Sequence, residues 1–459
     1  MRKLNRKWQM LLYACSGFGV NLLNLMMGSY LCSALLVGDF GKNPVALANQ
    51  TYVGKNLVVA GAWAVFGIIA KIIDGVIDIP MASFTDRLQT RFGRRRPAIV
   101  IGLVPMIAAF LLFLVVPHPQ GESWLNTIYY GLILCVFFSF YTLTMVTYYA
   151  TFTEIVETED ERNFMSNVKS VCDIFYFIVG YVVVAMILKG LNVRIVALLV
   201  LPLVLTMLIP LFMIKEPSTK GKVVLDNGTR TVNLWESLKY TFKNRAFILW
   251  MIVIFFMNMG VNLFLGGINE YFVSVGLSQM IVMACSFAPV PFTLILYNFI
   301  IKKKGFGFAF RYVLLTYAAG MICMFFVGLL PSTMNLMKTI FAIVSGIICS
   351  FAVGALFAVA YSIPSQLAAD EEKETGVSHS AMYFAIQGVF SGIATGVAQY
   401  GILTALKTAS KDKTGLTAMG FMTLICGIAM IVSFICTFFL PRQITHIGLP
   451  DKNEPTEKI

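Results

Sequence analysis

The chain has 459 residues, 58% of them hydrophobic and 13% charged, with a mean hydropathy of +0.79. A soluble protein needs roughly a quarter of its residues charged, whereas twelve bilayer-spanning helices of about 20 residues would use roughly 240. The composition fits an all-α integral membrane protein without a sizeable soluble domain, and it reads the net charge of +12 as a topology signal, not a nucleic-acid footprint.

Twelve spans are expected, at 10–37, 57–83, 98–117, 126–152, 164–188, 192–214, 246–272, 278–301, 311–330, 338–362, 379–405 and 415–440. Arg2, Lys3, Arg6 and Lys7 precede the first, which is too long for a signal-peptide core and reads as a retained helix. The termini and alternate loops, among them 84–97, 215–245 and 302–311, carry 25 of the 35 Lys and Arg residues. The opposite loops carry eight, Lys407 among them. The positive-inside rule then places both termini in the cytoplasm of a multi-pass cell-membrane protein.

The second span holds Lys71, Asp74 and Asp78 at i, i+3 and i+7, on one helical face. Intramembrane charges are costly and mark functional candidates. Lys71 balances about one carboxylate, leaving roughly one negative charge, which suits one Na⁺, Li⁺ or H⁺. The structural alternative is a charge cluster that only locks helices together. Lys169 and Asp173 in span 5 stand at i, i+4, either as a self-satisfied pair or as a polar cavity wall, and Glu270 lies near the outer end of span 7.

The polar connection 215–245 separates a first six-helix bundle, 1–214, from a second, 246–445, with a tail at 446–459. Features recur across it about 210 residues apart: Arg91-Phe92-Gly93-Arg94-Arg95-Arg96 against Lys302-Lys303-Lys304-Gly305, and an acidic loop at Asp160 against Asp370. Two repeated halves are what a rocking-bundle carrier needs, with solute bound between them near the midplane. The nine cysteines all fall in apolar stretches and their odd number implies no disulfide framework. The three histidines are scattered, and HExxH, GxSxG and P-loop patterns are missing. These features argue against an enzyme and against a cofactor beyond the coupling ion.

The stretch Asp86-Arg87 to Gly93-Arg94-Arg95-Arg96-Pro97 resembles the cytoplasmic loop motif of the major facilitator superfamily. Its implied role is to hold the halves together on the inner side, as a gate. More of the chain is similar to the glycoside-pentoside-hexuronide:cation symporters, the melibiose-permease family within that superfamily. The resemblance rests on Lys71-x-x-Asp74-x-x-x-Asp78-x-Pro80-Met81, then Tyr141-Thr142, Glu161-Arg162, Lys373-x-Thr375-Gly376 and Phe384-x-x-Gln387. It implies uptake of a sugar, glycoside or uronide coupled to a monovalent cation. The cation site, Na⁺ included, would map onto Asp74, Asp78 and Thr142 beside Lys71, and solute contacts onto Asn21, Tyr141, Met145, Tyr149, Lys169 and Asp173.

Departures from that pattern bear on both sites. Ile77 replaces an asparagine, removing an oxygen ligand and favouring H⁺ over Na⁺. Asn21 and Met145 replace sugar-gripping carboxylates, and Gly392 replaces a lysine. A carrier of an amphipathic, lysolipid-like solute is therefore the alternative, motivated also by 24 Met and 38 Phe residues. A non-transporting sensor or scaffold is a third class, opposed by the lack of any appended signalling domain. The expected partners are a small-molecule solute, a monovalent cation and the lipid bilayer, with one chain sufficient to form the cavity.

Overall fold

The computed structural model describes residues 7–155, 159–214, 216, 218, 242–375, 380–409 and 418–445. Most of the linker 215–245 and the tail 446–459 therefore lie outside the described residues. Every regular element among the described residues is helical. In hydrocarbon each backbone N–H and C=O must be paired within the segment, and a helix does this locally.

Among the described residues ten helices are long and apolar enough to cross a membrane, from Lys7–Leu35 to Gly420–Phe439. The two sequence spans outside that set are the ones that carry more than one internal charge. Span 2 is Ala60–Val76 followed by Asp78–Arg87, with Ile77 as the joint. Span 5 is Glu159–Ile178, continued through Val179–Val183 and Val184–Ile187. Its apolar part, Val171–Ile187, is 17 residues or about 26 Å long at 1.5 Å per residue, close to the hydrocarbon thickness. The expected fold class stands: an all-α, multi-pass membrane chain.

Some connections differ from expectation. The loop drawn at 302–311 contracts to Gly305, whose φ of 81° joins Val290–Lys304 directly to Phe306–Leu329. A single left-handed residue suffices, and glycine takes that conformation at no steric cost. Arg311 consequently sits inside a helix and donates from Nε and Nη2 to Oγ1 and O of Thr437, at 3.1 and 3.0 Å. Span 10 runs on as one helix, Asn335–Thr375, through the segment expected to be a loop.

Two compact units emerge. The first comprises Met1–Thr231, Asn262–Ile281 and Gly392–Met422. Within it, segments from late in the sequence pack on early helices. A Cβ at Gly392 would stand 2.5 Å from the Lys71 carbonyl oxygen, and one at Gly396 would stand 3.1 Å from the Ile68 Cα. Among the described residues three stretches widen into π winding: Met26–Leu31, Val179–Val183 and Val397–Ile402. The second unit comprises Val232–Val261, Val282–Ser391 and Thr423–Ile459. Its interior is tied by Trp250 Nε1 donating to Gln387 Oε1 at 2.9 Å and Asn258 Nδ2 to Ser391 Oγ at 2.8 Å. Gln387 thus serves a buried indole.

Candidate functional site

The first cluster lies in the first unit, where Ala60–Val76 packs against the long helix Trp124–Ile155. Lys71 Nζ is 3.1 Å from Asp74 Oδ2 and 3.5 Å from the centroid of the Phe138 ring. The other Asp74 oxygen accepts from Thr142 Oγ1 at 2.8 Å. Both oxygens of Asp74 are therefore engaged, and a cation on an aromatic face further fixes the lysine. Asp78 lies one turn on, beyond the joint at Ile77, close enough to feel the Asp74 charge. Among the described residues it makes no hydrogen bond or ion pair, so the two carboxylates are not equivalent. Asp78 is the carboxylate that Lys71 and Thr142 leave without a partner among the described residues.

The second cluster joins the first span to spans 4 and 5. Tyr141 donates to Asn21 Oδ1 at 3.2 Å, and Tyr149 lies near Asn21. Lys169 is paired with Asp173, and its Nζ stands 4.9 Å from the centre of the Tyr149 ring. Asp173 is about one-third exposed and Met145 is buried. Tyr176, absent from the sequence reading, stands near Asp173, Tyr141 and Tyr149. Its signal was present, since it follows Asp173 by three residues on one helix face.

The basic loop is organised by an unforeseen residue. Glu216 Oε2 accepts the backbone N–H of Arg95 at 2.8 Å, at the start of helix Arg95–Phe113. A carboxylate there satisfies an orphan donor and complements the positive end of the helix dipole. Arg95 is buried, Arg94 and Arg96 are half-buried, and the side chains of Asp86 and Arg87 lie outside the described residues.

A third cluster overturns the reading of Lys407 as a loop charge. It belongs to the helix Leu403–Ala409, is 3% exposed, and pairs with Glu270 at 2.5 Å. It also donates to the carbonyl and hydroxyl oxygens of Ser33, at 2.8 and 2.7 Å. The second Glu270 oxygen accepts the Asp39 N–H at 2.9 Å. Gly38 makes this approach feasible: its φ is +46°, and a Cβ would run into the Glu270 carboxyl group and lie 3.2 Å from Lys407 Cγ. Gly38→Ala is expected to cost about 1–2 kcal/mol for the left-handed backbone alone, with crowding in addition, visible as a lowered thermal midpoint of the purified protein.

Many long apolar helices, with charge confined to a few clusters inside them, define a polytopic membrane protein. The chain belongs to the family of MFS/sugar transport proteins, whose pattern it matches over residues 12–442. Over 124 residues it is 27% identical to an uncharacterised symporter of Synechocystis sp., a match spanning 26% of this chain and 22% of that protein. Solved structures agree on the fold. The nucleoside transporter NupG superposes with a TM-score of 0.60 at 16% identity, covering 95% of this chain and 99% of its own. A bacterial homologue of the human lysosomal transporter Spinster, inward-facing and unoccupied, gives 0.58 at 13%, covering 95% and 98%. A POT family transporter in complex with 5-aminolevulinic acid gives 0.61 at 13%, covering 95% and 96%. The relatives are transporters of the major facilitator type, not enzymes.

Proposed function

We propose that the protein is a cation-coupled symporter working by alternating access, with a sugar, glycoside or uronide as the solute. The observation that carries this is the inequality of Asp74 and Asp78. Asp74 is held by Lys71 and Thr142, while Asp78 keeps the uncompensated charge. One negative charge inside a bilayer is costly until a cation neutralises it, and this ties cation entry to the conformation of span 2. The oxygens of Asp74, Asp78 and Thr142 would hold Na⁺, or Asp78 alone would take H⁺. Ile77 supports the proton, since it brings no oxygen to the joint.

Asn21, Tyr141, Tyr149, Lys169, Asp173 and Tyr176 form the proposed solute wall. Its one ion pair is self-neutralised, so a neutral polyol could use the hydroxyl and amide groups while its apolar face lies on the tyrosine rings. The aromatic surround and the lost carboxylates also support the second reading, an amphipathic solute. Basic residues 94–96 with Glu216 would close the inner face, consistent with the gate expected of that loop.

The test is thermal stability of the purified protein in Na⁺, Li⁺ or choline chloride at several pH values, alone and with sugars or lysolipids. A ligand at 100 times its Kd adds about 2.7 kcal/mol. Stabilisation by Na⁺ or Li⁺ over choline, absent in Asp78→Asn, identifies the metal cation. No such effect, together with proton-driven uptake, identifies H⁺. Neither response removes the coupling proposal. A lysolipid that stabilises where no sugar does selects the second solute class.

A further inference from the structure

Glu270, Lys407 and Asp39 are buried at 0, 3 and 0% exposure, yet their part in the coupling scheme is nil. They come from three distant segments: the stretch after the first span, the helix Arg245–Val275 and the helix Leu403–Ala409. Glu270 is 25 residues from the start of its helix, about 37 Å at 1.5 Å per residue, so the cluster lies at the membrane face opposite the basic segment at Arg245. A second polar contact lies in the same unit. Gln279 Nε2 donates to Tyr30 Oη at 3.3 Å and to the Tyr181 carbonyl at 3.1 Å, while its buried Oε1 is without a hydrogen-bond partner among the described residues. Tyr30, Tyr181 and Tyr400 each sit in one of the three π-wound stretches. Such windings recur at functional positions because they insert a residue at a cost in backbone geometry.

Buried ion pairs are poor permanent glue. The desolvation of two charges offsets most of their attraction, and apolar residues of like volume hold as well or better. Their advantage appears when a joint must come apart. Glu270 and Lys407 regain hydration once separated, so parting them costs less than exposing the same area of leucine. We propose that the Glu270–Lys407–Ser33 joint is a reversible lock that closes the transport path on the face opposite the basic loops and breaks once per cycle. This rests on reading the chain as an alternating-access carrier, but not on cation coupling.

A native reporter stands beside the lock. Cys32 is 6% exposed and lines a cavity of about 10 Å³, room for one water, together with Ser33, Trp63, Tyr400 and Lys407. The experiment uses the full chain with Cys32 as its single cysteine, in sided membrane vesicles, and reads the rate of labelling by a membrane-impermeant maleimide. Glu270→Gln and Lys407→Met each leave one buried charge unpaired, so each is expected to speed labelling about tenfold or more, from the face opposite the basic loops. The double variant leaves no unpaired charge and should return to the parental rate or below it. Folded, monodisperse single variants that label at the parental rate overturn the lock, as does acceleration from the basic-loop face. Should the single variants not fold, Glu270→Asp decides, since it keeps the charge but shortens its reach to Lys407: faster labelling from that face supports the lock, and the parental rate overturns it. Asp74 and Asp78 are intact throughout, so a failed cation response and a failed lock are told apart.

Discussion

On the coupling proposed above, replacing Asp78 by asparagine is expected to turn accumulation of the solute into mere equilibration. Once a solute is in hand, a single positive charge moving through 100 mV is worth about 2.3 kcal/mol, or roughly a fifty-fold concentration ratio. That ratio should collapse toward one in Asp78→Asn, while solute counterflow persists. The variant should remain as stable as its parent in choline, because Asp78 makes no described contact to lose. Asp74→Asn should behave differently. It removes the charged partner of Lys71, leaving a lysine inside the membrane without its counter-charge, although the amide oxygen can still accept from Thr142. Lower stability in every salt is the expected result. Equal thermal behaviour of the two variants would show that the carboxylates share one role, and the assignment of Asp78 as the cation-accepting group would fall.

The second large effect is predicted at Gly392. The resemblance to melibiose-type carriers implies a lysine here, and the substitution Gly392→Lys tests whether this chain has room for one. The new Cβ would lie 2.5 Å from the carbonyl oxygen of Lys71 and 3.4 Å from its carbonyl carbon. Those are backbone atoms, which yield only if the helices move apart. Overpacking of this kind costs about 1–3 kcal/mol, which lowers a thermal midpoint by several degrees. The same displacement would disturb Lys71 and with it the geometry around Asp74, so the cation response should weaken in parallel. Gly61→Ala is the control: a Cβ there meets nothing within 4 Å, and alanine in a helix is expected to stabilise by about 0.5–1 kcal/mol. A Gly392→Lys protein as stable as its parent would show that this close approach is absent in the membrane.

These two sites also show how a single family resemblance divides into what carries over and what does not. The span 2 motif carries over with its geometry. Lys71, Asp74 and Thr142 meet as the resemblance implies, because helical spacing fixes the first two and the packing of Trp124–Ile155 delivers the third. The solute wall carries over only in part. Asn21, Tyr141, Tyr149, Lys169 and Asp173 gather, whereas Met145 brings no polar group and a Cβ at Gly392 would meet the backbone of a neighbouring helix. A substrate grip built on an acidic span 1, an acidic span 4 and a span 11 lysine is sterically and chemically unavailable here, which is why the solute class needs its own experiment.

The sequence by itself determined the helical, membrane-spanning character of the chain and the charged face of span 2. Hydropathy over 20 residues and a spacing of three or four are local properties that lipid and helix geometry read directly. It also singled out Glu270, since an acid in an apolar run is visible without a fold. What only the tertiary structure decided is the partner of each charge. Lys407 looked like a loop cation because its neighbours are polar, yet it is buried against Glu270 and Ser33, residues 137 and 374 positions away. Glu216 looked like the start of a linker and instead caps the helix at Arg95. Asp74 and Asp78 looked equivalent until Lys71 and Thr142 were seen to share the first. A charge inside a membrane must find a counter-charge, a hydrogen bond or an ion, and which of these it finds is set by the packing of segments far apart in the chain.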